Sequence, residues 1–139
     1  MIVVDASVWV SRYIPNDLWH VDSRGWLEQY MGSGRLVIAP ALLLAEVAGA
    51  VARRMRRPHL GHRAAADLLK LPTVRLLPVD NILAQAAATL AADFSLRGPD
   101  AAYVAAADRL GIPLVTWDQE QHDRAGTTVA TYTPRTAPR

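Results

Sequence analysis

Four acidic residues stand in apolar company, where a solvated surface carboxylate is not expected. They are Asp5 in "IVVDASVWV", Glu46 in "PALLLAEVAGAV", Asp100 in "RGPDAAYVAAA" and Asp118 in "PLVTWDQEQ". A carboxylate taken out of water is costly unless it meets a donor or a cation. Each acid has an ordinary explanation. Asp5 or Ser7 can cap a helix that follows the first strand. Thr116, Asp118 and Gln119 can form a helix N-terminus with a capping arrangement. Asp100 sits in a first helical turn, where the helix dipole favours an acid. Glu46 has only Leu42, Leu43, Gly49 and Ala50 at three- and four-residue spacing, so its ordinary partner is an arginine from elsewhere in the fold.

Four separate caps and bridges account for the acids less well than one cluster does. Clustered carboxylates repel one another and raise each other's pKa unless a cation neutralises them. For an all-oxygen set that cation is Mg²⁺, with Mn²⁺ as a substitute. The chain has no cysteine, and His20, His59, His62 and His122 lack zinc-type spacing.

The elements that must position these acids read as an alternation of strands and helices. Strands are expected at 2–5, 35–39, 73–79, 112–116 and near 127–132. Helices are expected at 7–13, 18–31, from Pro40 to about 57, at 61–70, 80–93, from Pro99 to 110 and at 118–124. That order predicts an α/β domain, a mostly parallel sheet with right-handed crossovers flanked by helices. In such sheets functional residues gather at the C-terminal strand ends, where Asp5 and Asp118 fall. No repeat or linker divides the chain, so one domain over 1–132 is expected, with the Pro-rich 133–139 as a loosely ordered tail.

Composition sets the remaining bounds. The 139 residues are 51% apolar, and 15 Lys+Arg against 13 Asp+Glu give a net charge of only +2. That excess is too small for a nucleic-acid coat protein, yet Lys70 is the only lysine, and arginine suits phosphate better. Absent cysteine excludes disulfides, thiolate catalysis and iron–sulfur clusters. The start lacks a basic region before its apolar run, and Pro40 and Glu46 interrupt the longest apolar stretch; a cytoplasmic protein is expected.

The four quoted stretches, in this order and at these separations, resemble the PIN-domain nucleases. In length and order the chain is similar to a VapC-type toxin ribonuclease of a toxin–antitoxin pair, from Met1 to about Tyr132. The resemblance implies a PIN-like three-layer α/β/α fold. It also implies that Asp5, Glu46, Asp100 and Asp118 bind the metal and carry catalysis, with Ser7 and Thr116 as supporting hydroxyls. The implied chemistry is Mg²⁺-dependent hydrolysis of RNA phosphodiesters by water. The partners it implies are the RNA substrate, a second copy of the chain, and a small VapB-like antitoxin whose tail occupies the acidic pocket. Asp123 falls off the Asp118 face of a regular helix and ranks below the four.

Arg53, Arg54, Arg56 and Arg57, after the Glu46 helix, are candidate RNA contacts or simply complement the helix C-terminus. Trp117, beside Asp118, is a better stacking candidate than Trp9, Trp19 or Trp26, which suit a core or an interface. The rival from another class is a PIN-like module that holds RNA or a partner without cutting. A receiver-like phosphotransfer domain fits poorly, since Lys70 lies on a predicted helix. Ser7 has no histidine arranged to activate it as a nucleophile.

Overall fold

Strand β1 (Ile2–Val4) is fully buried and hydrogen-bonded along both edges, which makes it the centre of the molecule. A computed structural model describes residues 1–139. Beside β1 on one side lie β2 (Val37–Pro40) and then β3 (Val74–Leu77); on the other lie β4 (Leu114–Val115) and β5 (Thr131–Tyr132). All four pairings are parallel, with Val3 opposite both Ile38 and Leu114. The order β3-β2-β1-β4-β5 means the chain winds outward one way from β1, then returns to wind the other way. The gap between β1 and β4 is therefore the switch point, where parallel sheets open a crevice beyond the strands' carboxyl ends.

Seven helices flank the sheet: α1 (Ala6–Tyr13), α2 (His20–Gly32), α3 (Leu43–Met55), α4 (Pro58–Lys70), α5 (Asn81–Phe94), α6 (Gly98–Leu110) and α7 (Gln119–Ala125). This is the expected α/β architecture, a parallel sheet flanked by helices. Helix α6 is the innermost, with every residue from Ala101 to Ala107 buried. Its alanines leave room for a close approach to β1, β2 and β4, and a helix apolar on all sides belongs inside. No helix is long and apolar enough to cross a membrane. Residues after β5 run back along α2, where Trp26 donates to the Pro138 carbonyl at 3.1 Å and Arg135 pairs with Asp22 at 2.9 Å.

Several boundaries differ from the sequence reading. Pro40 ends β2 instead of opening α3, pairing with Leu77. Its fixed φ suits a strand end as well as a first helical turn, and the lost N–H is bypassed by Ala41 N donating to Leu77 O at 2.8 Å. Helix α4 starts at Pro58 and not at 61, with proline at the first turn, where a missing N–H costs nothing. The strands expected at 112–116 and 127–132 shrink to two residues each.

Helices α3 and α4 form a tight hairpin that fixes the helix carrying Glu46. A Cβ on Gly61 would stand 2.3 Å from the Ala48 carbonyl oxygen and 2.9 Å from the Ala52 Cβ. Gly61→Ala gains about 1 kcal/mol of helix propensity. We expect overpacking against α3 backbone to outweigh that gain, for a net loss of about 1–2 kcal/mol. Urea denaturation measures this, and an unchanged midpoint would mean that the two helices separate freely.

Candidate active site

Asp5 follows β1 directly and is nearly buried, at 5% exposure. Its main chain stays in the sheet, Asp5 N donating to Val115 O at 2.9 Å. The side chain caps α1, with Oδ2 accepting from Ser7 N at 2.9 Å and from the Thr116 hydroxyl at 3.2 Å. Ser7 Oγ in turn accepts from Trp117 N at 3.0 Å, and Thr116 Oγ1 accepts from Asp118 N at 3.0 Å. The two hydroxyls thus stitch the end of β1 to the end of β4. Asp118 caps α7, Oδ1 accepting from Gln121 N at 2.9 Å. For Asp5 and Asp118 the capping explanation is correct, and it leaves their other oxygens to be accounted for.

Glu46 reaches the same region from α3, and its Oε2 accepts a 2.6 Å hydrogen bond from the Tyr103 hydroxyl. Tyr103 is fully buried on α6, three residues after Asp100. Asp100 and Asp118 meet across Arg97, whose Nε donates to Asp100 Oδ2 at 2.9 Å and whose Nη2 donates to Asp118 Oδ2 at 2.8 Å. Gln121, also buried, ties α7 to the Asp100 carbonyl at 3.2 Å. The four acids predicted from sequence therefore converge from four different elements, together with Ser7 and Thr116.

Their mutual influence is visible in their acidity. Burial raises the pKa of Asp5, and the Asp118 charge adds to it. Burial likewise raises Asp100, against the lowering effect of Arg97. Glu46 is pushed up to about 7, by burial first, with Asp5 and Asp100 adding and the Tyr103 hydrogen bond opposing. Burial first, and then the Glu46 carboxylate, hold the Tyr103 hydroxyl protonated well above its ordinary range.

The donor chemistry fits a hard divalent cation. Asp5 Oδ1, Glu46 Oε1 and Asp100 Oδ1 accept from no protein donor, and no sulfur or imidazole stands among them. The side chains as they stand do not close round one point, since no three acids could hold the same ion. Arg97 fills the space between two of them.

Beside the acids opens a cavity of about 370 Å³, lined by Ser7, Glu46, Arg53, Arg54, Trp19 and Trp117 among others. Arg53 lies on the Glu46 face of α3, two turns on, over Gly49. Arg54 is held by Asp17 at 2.6 Å. Arg56 and Arg57 do not line this cavity: Arg56 closes α3 in a left-handed conformation, and Arg57 precedes α4. Trp117 stacks on Trp19 at 4.4 Å, while Trp9 and Trp26 are buried in the core. Asp123 points outward and accepts from Gln119 at 2.7 Å. Sequence reasoning overlooked Arg97 and the Tyr103 hydroxyl. Both lie three residues from Asp100, the spacing that brings helical side chains together.

The sequence matches the family described as PIN domain over residues 2–127. No curated protein matches it by sequence. The fold is similar to VapC20 of Mycobacterium tuberculosis, a sarcin–ricin loop cleaving toxin. That match has TM-score 0.75 and 21% identity, covering 94% of this chain and 97% of that one. It is similar to FitAcB from Neisseria gonorrhoeae, with TM-score 0.72 and 22% identity over 99% of this chain and 100% of that one. It is also similar to VapBC2 from Rickettsia felis bound to a promoter DNA fragment, with TM-score 0.72 and 12% identity over 96% and 98%. At such identities the likeness is one of fold.

The Glu46 shift carries a sign for stability. Folded protein keeps a proton on Glu46 to about pH 7, whereas the unfolded chain releases it near 4.5. A raised carboxyl pKa destabilises the fold as pH rises through that window. In EDTA, the wild-type melting temperature should fall more between about pH 5 and 8 than that of Glu46→Gln. Parallel pH profiles would mean that Glu46 ionises like a surface carboxyl.

Proposed function

The chain belongs to the PIN domain family, and we propose that it is a Mg²⁺-dependent endoribonuclease, the toxin of a VapC-type toxin–antitoxin pair. The observation that carries this reading is the convergence of Asp5, Glu46, Asp100 and Asp118 at the switch between β1 and β4. Each acid except Asp118 presents an oxygen with no protein donor. Like charges held this close call for a cation. The cavity beside them carries arginines and an aromatic edge, as a nucleic-acid strand requires.

In this reading the four acids hold Mg²⁺, or Mn²⁺ in its place. When bound, that cation polarises water for in-line attack and offsets charge on the phosphate and the leaving oxygen. Thr116 and Ser7 fix Asp5 by hydrogen bonds, so its free oxygen keeps one direction. Tyr103 does the same for Glu46. Glu46 must release its proton to bind a cation, so metal affinity rises with pH up to about 7. Arg53 and Arg54 would contact phosphates along the cavity. Trp117, braced by Trp19, would present a rigid face to a base.

The proposed assembly is a cytoplasmic homodimer restrained by a small VapB-like antitoxin. VapC20, a sarcin–ricin loop cleaving toxin, and VapBC2, bound to a DNA fragment from its promoter, share this fold. A domain that grips RNA without cutting it is the competing outcome.

Incubating purified protein with a total RNA pool and mapping the new ends tests the reading. Cleavage should require Mg²⁺ or Mn²⁺ and stop with EDTA. Residues that merely orient a metal ligand cost about 10- to 100-fold when removed. Asp5→Asn, Glu46→Gln and Asp100→Asn should each lose at least about 100-fold. Metal-dependent cleavage that persists in all three variants would refute the four-acid site. RNA binding without any cleavage would favour the non-catalytic alternative.

A further inference from the structure

Arg97 belongs to no role assigned so far, yet it makes the shortest route between two of the acids. Its guanidinium spans Asp100 and Asp118, which come from helices 18 positions apart in the sequence, with bonds of 2.9 and 2.8 Å. The oxygens it takes are informative. Asp118 Oδ1 serves the α7 cap and Oδ2 serves Arg97, so both oxygens already carry a donor. A divalent ion that draws on Asp118 therefore competes with Arg97 for the same carboxylate.

The side chain is built to be displaced. It is 69% exposed, against 16% for Asp100 and 26% for Asp118. Ion pairs this open to water are each weak enough for a divalent ion to displace, while together they still offset repulsion between the two acids. Arg97 precedes α6 in an extended backbone conformation and caps it with no side-chain bond; the helix starts on its carbonyl, which accepts from Ala101 N at 2.9 Å. Gly98, the next residue, has open space around it. Swinging the guanidinium outward thus leaves the helix start and its packing in place.

We propose that Arg97 is an internal counter-cation that occupies the Asp100–Asp118 pair until a divalent ion replaces it, so that part of the pair's charge is offset before loading and Arg97 competes with the metal. The inference rests on the metal site proposed above. Competition of this kind sets a threshold: the ion must outbid a tethered guanidinium whose local concentration never falls. A guanidinium suits this role because its planar fork spans two carboxylates at once, whereas a lysine ammonium is a single point charge.

Mn²⁺ titration of EDTA-stripped, full-length protein tests it, by calorimetry and by the paramagnetic signal of free Mn²⁺. The proteins compared are wild type, Arg97→Gln, Arg97→Lys and Arg63→Gln, the last removing one positive charge on α4. At about 0.15 M salt a distant charge is screened within ~8 Å. Arg97→Gln should bind Mn²⁺ at least tenfold more tightly than wild type, Arg97→Lys should fall between them, and Arg63→Gln should match wild type. In EDTA, Arg97→Gln should melt below wild type, and saturating Mn²⁺ should raise its melting temperature by the larger step. Unchanged or weaker Mn²⁺ affinity in Arg97→Gln would overturn the competition. An equal gain in Arg63→Gln would reduce it to a general charge effect and overturn it as well. If neither wild type nor Arg97→Gln binds Mn²⁺, the metal site itself fails and the inference falls with it.

Discussion

Carboxylates repel, and a fold that gathers several of them at one end of a sheet must supply opposing interactions at every one. That requirement organises the C-terminal edge of this protein. Asp5 is answered by the Ser7 amide and the Thr116 hydroxyl, Glu46 by the Tyr103 hydroxyl, and Asp100 and Asp118 by Arg97. In each acid the donor fixes one oxygen, and in all but Asp118 the other stays uncommitted. Burial first, and the charge of neighbouring acids after it, still raises the pKa of Asp5, Glu46 and Asp100, so the repulsion is offset without being removed. Under the proposed metal reading, a bound cation would relieve a cost the fold already carries.

The architecture was largely legible in the sequence, because its signals are local and repeated. The apolar runs at 2–4 and 37–39 are buried on both faces, as parallel strands are. Proline and glycine marked most helix ends. What was illegible depended on pairing. Pro40 reads equally as a strand end or a helix start, and only the partner Leu77 decides between them. The reading also lengthened β4 and β5. Each makes only a two-residue ladder, a limit set by neighbouring strands and not by the residues' own β-propensity.

The acids of the site were legible one by one because each broke an apolar pattern. Their donors were harder to see. Tyr103 reads as another core aromatic on α6, and nothing in its neighbours shows that its hydroxyl ends on Glu46, 57 positions away. Arg97 sits in a loop-like "LRGP" where arginine is unremarkable, and its bond to Asp118 spans 21 positions. The basic run at 53–57 divides in a way charge counting could not show. Helical phase turns Arg53 and Arg54 toward the cavity, while the left-handed end of α3 sends Arg56 elsewhere.

The central place of β1 has a consequence for how the protein comes into being. The first strand made is the one whose second edge must wait for β4, and Asp5 meets Thr116 across 111 positions of chain. The acids are strung along the sequence at 5, 46, 100 and 118, so no partial chain short of the last carries the whole set. Contacts this distant close late and slowly. A chain still missing β4 has an open sheet edge and lacks both Thr116 and Asp118, so the set of acids and its supporting hydroxyls is complete only once β4 has joined β1.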